Sequence, residues 1–225
     1  MPPDPTPRIS LRKRPQQARS EGLVAAILEA AVQVLTTEGA QRFTTARVAE
    51  RAGVAVGSLY QYFPNKAAIL FRLQSDEWQR TGRQMHAILA DTTRTPADRL
   101  RDLATTFLRS ECEEAAIRRA LDDAAPLYRD VPEARAARAW IHDTLAAFMR
   151  EALPDADDAR RALIGELILR TLKSVGQDYS ETPRSDAEIA AFGGGLGEML
   201  VGGLGGGGTT QPTGDTHPTL RLKST

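Results

Sequence analysis

An all-α protein is the fold class this sequence predicts, and three observations predict it. Ala, Leu, Arg and Glu dominate the 225 residues, while aromatic residues make up only 5%. Those abundant types are strong helix formers. Val-, Ile- and Thr-rich runs with two-residue alternation, the mark of strands, are missing. Apolar residues instead recur at helical spacing, and prolines divide the chain into segments of helix length.

The elements follow in order. Residues 1–15 hold five of the thirteen prolines together with several bases, so 1–18 reads as a flexible arm. From Leu23 the apolar positions 23, 26, 27, 30, 31, 34 and 35 form the stripe of an amphipathic helix, which Gly39 stops. A short second helix starts after Thr44 or Thr45, either of which can cap it, and ends at Gly53. A third short segment, Val56 to Phe63, is closed by Pro64. Asn65 then caps a long helix reaching Leu89 or Ala90. Further helices are predicted at about 96–111, 113–126, 132–152, 157–178 and 186–204, punctuated by Pro126, Pro132, Pro154 and Pro183. The Gly-, Thr- and Pro-rich residues 205–225 read as a disordered tail.

Composition narrows the function. With 41% hydrophobic and 26% charged residues, the chain can bury a core. One cysteine, Cys112, allows no internal disulfide and fits a reducing cytoplasm. No run of about 18 apolar residues suggests a membrane span, and the N-terminus lacks the apolar run of a signal peptide. Net charge is zero, but residues 1–66 carry nine bases against five acids. That gives a head of +4 on a body of −4, compatible with nucleic-acid binding by the head.

The informative stretch is Phe43 to Lys66. Two short helices meet at Gly53, where a positive φ is convenient. Val48, Ala49, Val54, Leu59 and Phe63 can close a small core on the first helix. This leaves Val56, Gly57, Ser58, Tyr60, Gln61 and Tyr62 partly outward, on a helix whose small leading residues can enter a major groove. Tyr60 and Tyr62 can donate hydrogen bonds to phosphates, as can Thr44 and Thr45 from the start of the second helix. The helix after Pro64 offers its N-terminal amides to an anion, and Lys66 adds a charge there. Ser58, Gln61 and Val56 are left to read bases, and Arg47 can reach a guanine or a phosphate.

This stretch resembles the DNA-binding domain of the TetR family of bacterial one-component regulators. The matching residues are Glu38-Gly39, Phe43-Thr44-Thr45, Val48-Ala49, Ala52-Gly53-Val54 and the run Val56 to Lys66, within about residues 19–70. Ala55 departs from the family's usual Ser or Thr, losing a possible cap. The resemblance implies a three-helix helix-turn-helix DNA-binding domain at 19–66, joined to a helical ligand-binding and dimerisation domain at 67–204. It implies a homodimer on double-stranded operator DNA, repressing by default and released by a small-molecule effector.

The body is less specific. Leu103, Phe107, Cys112, Leu121, Trp140, His142, Leu145 and Met149 are candidates to line an effector cavity. The acids flanking Cys112 argue against a reactive thiol. His86, His142 and His217 have no metal-ligand spacing, and neither a metal site nor a cofactor is expected. The apolar face Leu163, Ile164, Leu167, Ile168, Leu172 and Val175 makes 157–178, with 186–204, the expected dimer surface. The glycines from Gly193 to Gly203 either let that last helix pack closely or fray it. Two alternatives stay open. A body without a pocket would suit an architectural DNA binder. Paired carboxylates, or a nucleophile with a base, would suit a helical enzyme, although no G-x-S-x-G, P-loop or H-E-x-x-H motif occurs.

Overall fold

Helix-forming composition becomes nine α-helices, with no strand among the described residues. The computed structural model describes residues 18–127 and 132–205, leaving the side chains of 18–19 and 133–140 outside that description. The expected arm (save Ala18), the tail beyond Gly205 and the Trp140 side chain therefore lie outside the described residues. The helices are α1 (Ala18–Arg42), α2 (Thr45–Arg51), α3 (Val56–Tyr60), α4 (Lys66–Leu89) and α5 (Pro96–Glu113). They continue with α6 (Ala115–Ala124), α7 (Pro132–Ala152), α8 (Asp158–Tyr179) and α9 (Asp186–Gly205).

Local chemistry sets these limits. Gly39 breaks the helical path of α1 with φ 79°. The Thr44 hydroxyl, rather than Thr45, caps α2 by accepting from the Arg47 amide at 3.3 Å. Asn65 caps α4 through the Ala68 amide at 2.9 Å. Thr95 and Asp157 cap α5 and α8 in the same way. Each such cap satisfies an amide that the first helical turn leaves unpaired. Ala55 caps α3 with no side-chain bond, as its missing hydroxyl predicts. That leaves α3 only five residues long, shorter than the expected Val56 to Phe63.

Two cores organise the chain. In the head, Ile27, Leu35, Phe43, Leu59, Phe63 and Leu70 are fully buried. Each such large side chain contributes roughly 1.5–3 kcal/mol relative to exposure. By length and composition, residues 20–42 of α1 could also cross a bilayer. Their buried stripe, Val24 to Leu35, instead packs in this core. The head core is not closed by residues 19–66 alone: Ala67 to Leu70 of α4 and Ala120, Leu121, Ala124 and Ala125 join it. In the body, Leu100, Leu103, Leu108, Leu145, Phe148 and Leu172 are the centre of a second core.

Two details fix the body. Arg99, fully buried, donates from Nη1 to the Leu89 carbonyl at 2.7 Å, pairs with Glu151 and lies over the Phe148 ring. It thereby ties the far end of α4 to α5 and α7. The glycine question is also decided: α9 stays helical to Gly205. A Cβ on Gly193 or Gly197 would stand 2.8 Å from the α5 backbone, at Thr105 and Arg101. These two glycines permit close packing of α9 on α5.

Candidate nucleic-acid interface and ligand cavity

The turn between α2 and α3 carries the first site. Gly53 takes φ 66°, and the Val54 amide donates back to the Ala49 carbonyl at 3.0 Å. This presents α3 on the outside of the head. Val56 and Tyr60 are about two-fifths exposed, Gly57 and Gln61 are exposed, and Ser58 is half-buried. The Tyr60 hydroxyl lies 3.0 Å from Thr45 Oγ1, so α2 and α3 hold a pair of hydroxyls at one edge. Thr44 and Lys66 are exposed at the starts of α2 and α4. A Cβ on Gly57 would meet nothing within 4 Å, so this face is open. Arg47 is paired with Glu38 at the end of α1, which commits its guanidinium to the head itself.

Tyr62 departs from the sequence reading. It is buried at 5% exposure rather than partly outward. The reason is local: α3 ends at Tyr60, and the amides of Tyr62 and Phe63 both donate to the Leu59 carbonyl, at 3.0 and 2.9 Å. The chain therefore turns inward, and the Tyr62 ring joins the head core beside Phe63.

The second site lies among α4, α5, α6, α7 and α8. A cavity of about 220 Å³ has one apolar wall of Trp78, Met85, Phe107, Ile141, Leu169 and Leu172. Its polar lining is Gln74, Glu77, Thr81, Glu111 and Arg118. Glu77 accepts from Gln74 Nε2 at 3.0 Å and from the Thr81 hydroxyl at 2.9 Å. Arg118 pairs with Glu77 and Glu114, each at 3.1 Å, and also with Glu111. It donates to the Ser110 hydroxyl at 2.7 Å. Burial pushes the Glu111 carboxyl above the ordinary glutamate value, an effect that Arg118 opposes and Glu77 reinforces.

Most expected cavity residues lie elsewhere. Among those whose side chains are described, only Phe107 lines this cavity. Leu121 is in the head core, because the apolar stripe of α6 faces α1. Leu103 is plain body core. Cys112 packs beside that core, and its thiol is raised chiefly by burial, with Glu111 and Glu113 adding to it. His142, Leu145 and Met149 line a separate groove of about 520 Å³ between α7 and α8. That groove is larger but shares its walls with charged surface residues such as Arg150, Asp158 and Glu166. Of the two, the smaller cavity combines apolar lining with buried polar groups, the arrangement that fixes a ligand's orientation.

Sequence reasoning missed Glu77, Glu111 and Arg118. Glu114 and Arg118 stand four residues apart on one helix, which reads as a solvated salt bridge. The cavity does contain paired carboxylates, the feature that would suit an enzyme. Arg118 engages both of them. Among the described residues, no group of three His, Cys, Asp or Glu could hold a metal ion.

The chain resembles known proteins along most of its length. Residues 27–73 match the family described as "Bacterial regulatory proteins, tetR family", and residues 95–205 match "Tetracyclin repressor-like, C-terminal domain". Nucleoid occlusion factor SlmA of Vibrio campbellii is 37% identical over 89 residues, which covers 31% of this chain and 45% of that protein. The chain thus spans less than half the length of this curated relative. A TetR-family regulator from Mesorhizobium loti superposes with a TM-score of 0.63 at 15% identity, over 83% of this chain and 98% of that one. FadR from Bacillus subtilis, solved with stearoyl-CoA, gives a TM-score of 0.61 at 20% identity, over 80% and 98%. At these identities the likeness is one of fold.

Proposed function

Because the chain belongs to the TetR family and is a DNA-binding transcription regulator, we propose that it is a cytoplasmic homodimeric repressor. In this reading a small molecule in the α4–α8 cavity releases it from a palindromic operator. The observation that carries the reading is the double role of α6. Its residues Ala120, Leu121 and Ala124 belong to the head core, while Arg118 and Asp122 line the cavity. Its neighbour α4 likewise sends Ala67 to Leu70 into the head and Glu77, Trp78, Thr81 and Met85 into the cavity. The far end of α4 is fixed by Arg99. A ligand that shifts Glu77 or Arg118 therefore displaces the head end of α4 and changes the spacing of the two heads. The effect on operator affinity equals the ligand's differential affinity for the two states.

On DNA, the exposed face of α3 enters the major groove with Val56, Gly57, Ser58 and Gln61 toward base edges. Tyr60, Thr44, Thr45 and Lys66 meet phosphates, which position the head without reading sequence. Arg47 reaches DNA only if it leaves Glu38, and Tyr62 contributes by supporting the head. Tyr60→Phe is expected to weaken binding to operator and random DNA alike. A hydrogen bond to a charged group is worth about 1.5–3 kcal/mol, so the loss is roughly ten- to a hundredfold. Fluorescence anisotropy with the inverted repeat nearest the gene checks this. Unchanged affinity would remove Tyr60 from the phosphate contacts. Substitutions at Ser58 or Gln61 should instead alter the preference among operator sequences.

Dimerisation through α8 and α9 is supported by their outer faces. Leu163, Leu167, Phe192 and Met199 are exposed there, four of the seven large apolar side chains exposed among the described residues. Two helices from each subunit would bury them around a two-fold axis. Leu167→Glu is expected to give monomers in sedimentation velocity at micromolar concentration and to abolish tight operator binding. A variant that stays dimeric would place the interface elsewhere.

A further inference from the structure

The charge balance at the base of the cavity points to the chemical class of its ligand. Arg118 meets three carboxylates, but Glu114 has a second partner in Arg80 at 2.6 Å. Glu77 and Glu111, whose side chains are 8% and 7% exposed, are left to share one guanidinium. The two oxygens of Glu77 also accept from Gln74 and Thr81, while Arg118 is the donor to Glu111. Among the described residues, one formal negative charge in this buried cluster therefore lacks a counter-ion of its own. The remaining charged lining groups, Lys173 on α8 and Asp122 on α6, are both exposed at the rim and offset each other.

Beside these carboxylates the lining presents Trp78 on α4 and Phe107 on α5, the latter next to Glu111 against Gly176 of α8. Aromatic faces attract cations through their ring quadrupole, most strongly where water is excluded. The cavity volume of about 220 Å³ is below the roughly 300 Å³ at which drug-sized sites begin. Among the described residues, an anionic head group would find an excess of carboxylate here and one lining arginine, Arg118, already committed to three of them.

We infer that the cavity takes a small organic cation, an ammonium or quaternary ammonium group on an aromatic or short apolar body, with Glu111 as counter-ion and Trp78 and Phe107 against the cationic group. This rests on the reading of the cavity as the effector site. It separates the chain from FadR of Bacillus subtilis, which was solved with stearoyl-CoA, an anionic ligand.

The test uses the full-length protein and calorimetric titration with benzyltrimethylammonium, benzyl alcohol, phenylacetate and stearoyl-CoA. The cation is expected to bind at least tenfold more tightly than the neutral and anionic benzyl probes, and stearoyl-CoA is expected not to bind. Glu111→Gln should lose at least tenfold in affinity for the cation and leave that for benzyl alcohol unchanged. If that variant fails to fold, Trp78→Leu serves instead, with a several-fold loss confined to the cation. Equal or tighter binding of benzyl alcohol, phenylacetate or stearoyl-CoA would overturn the inference, as would cation affinity that neither variant changes. Anisotropy with operator DNA and the cation present tests the underlying reading separately. Selective cation binding without a change in operator affinity would refute the effector role and leave the charge preference standing.

Discussion

Arg118→Met is expected to lower the unfolding free energy by about 3–5 kcal/mol at neutral pH, the cost typical of removing one member of a buried ion pair. Methionine retains most of the stem's volume, so lost packing contributes little. What remains is Glu77 and Glu111, each less than a tenth exposed, without the guanidinium that compensated them. The sign of the pH dependence follows from Glu111. Its carboxyl is already raised by burial in the native state, and losing Arg118 raises it further. The folded state then holds a proton that the unfolded chain releases above the ordinary glutamate value, so stability falls as pH rises through that window. Below it, near pH 4 and lower, both states are protonated and the added cost disappears. Urea unfolding at neutral pH and at the lowest pH where the wild type stays folded should show a cost that shrinks with acidity. Adding Glu111→Gln to Arg118→Met should recover part of the loss, since contacting residues couple by about 0.5–3 kcal/mol. A cost below about 1 kcal/mol, the value of an exposed pair, would mean that these carboxylates are solvated.

Arg118 also marks where legibility in the sequence ended. The helices could be read because their signals are local: the apolar stripe from Leu23, the caps Thr44 and Asn65, the turn glycine Gly53 and the dividing prolines all lie within a few residues of what they determine. The exposed face of α3 was legible for the same reason. Tyr62 was not, because alternation around a five-residue helix cannot say which way the following turn swings. The cavity was least legible. Glu77, Glu111 and Arg118 come from three helices, and nothing local distinguishes them from the other charged residues of a chain holding 29 acids and 29 bases. Their burial is a product of convergence in space. Leu121 failed in the opposite sense: it is apolar and buried, but it faces α1. Hydrophobicity predicts that a side chain is covered and is silent about which element covers it.

The last helix gives the second large effect, because one composition serves two purposes there. Gly193→Ala and Gly197→Ala together are expected to destabilise the protein by a few kcal/mol. Each new Cβ would stand 2.8 Å from a backbone carbon of α5, well inside the 3.5–4.0 Å of favourable carbon contacts. The neighbour here is main chain, so relief requires moving α5, which carries Leu100, Leu103, Ala104 and Leu108 in the body core. Overpacking of this kind costs about 1–3 kcal/mol per site or more, against about 1 kcal/mol that alanine returns through helix propensity. Gly194 and Gly195 are the control, since a Cβ on either meets nothing within 4 Å in its own chain. If each subunit folds as described, Gly194→Ala and Gly195→Ala leave the monomer fold intact or raise its stability by up to about 1 kcal/mol each. Both are exposed, and Gly195, three residues after Phe192 and four before Met199, shares the proposed dimer face with them. Any harm they do should therefore appear as weaker self-association in sedimentation, with urea unfolding of the separated subunits unchanged. The inner pair should fail in both measurements. Four glycines behaving alike would mean that α9 is not held against α5 at these positions. A clean division would assign one pair to folding and the other to assembly.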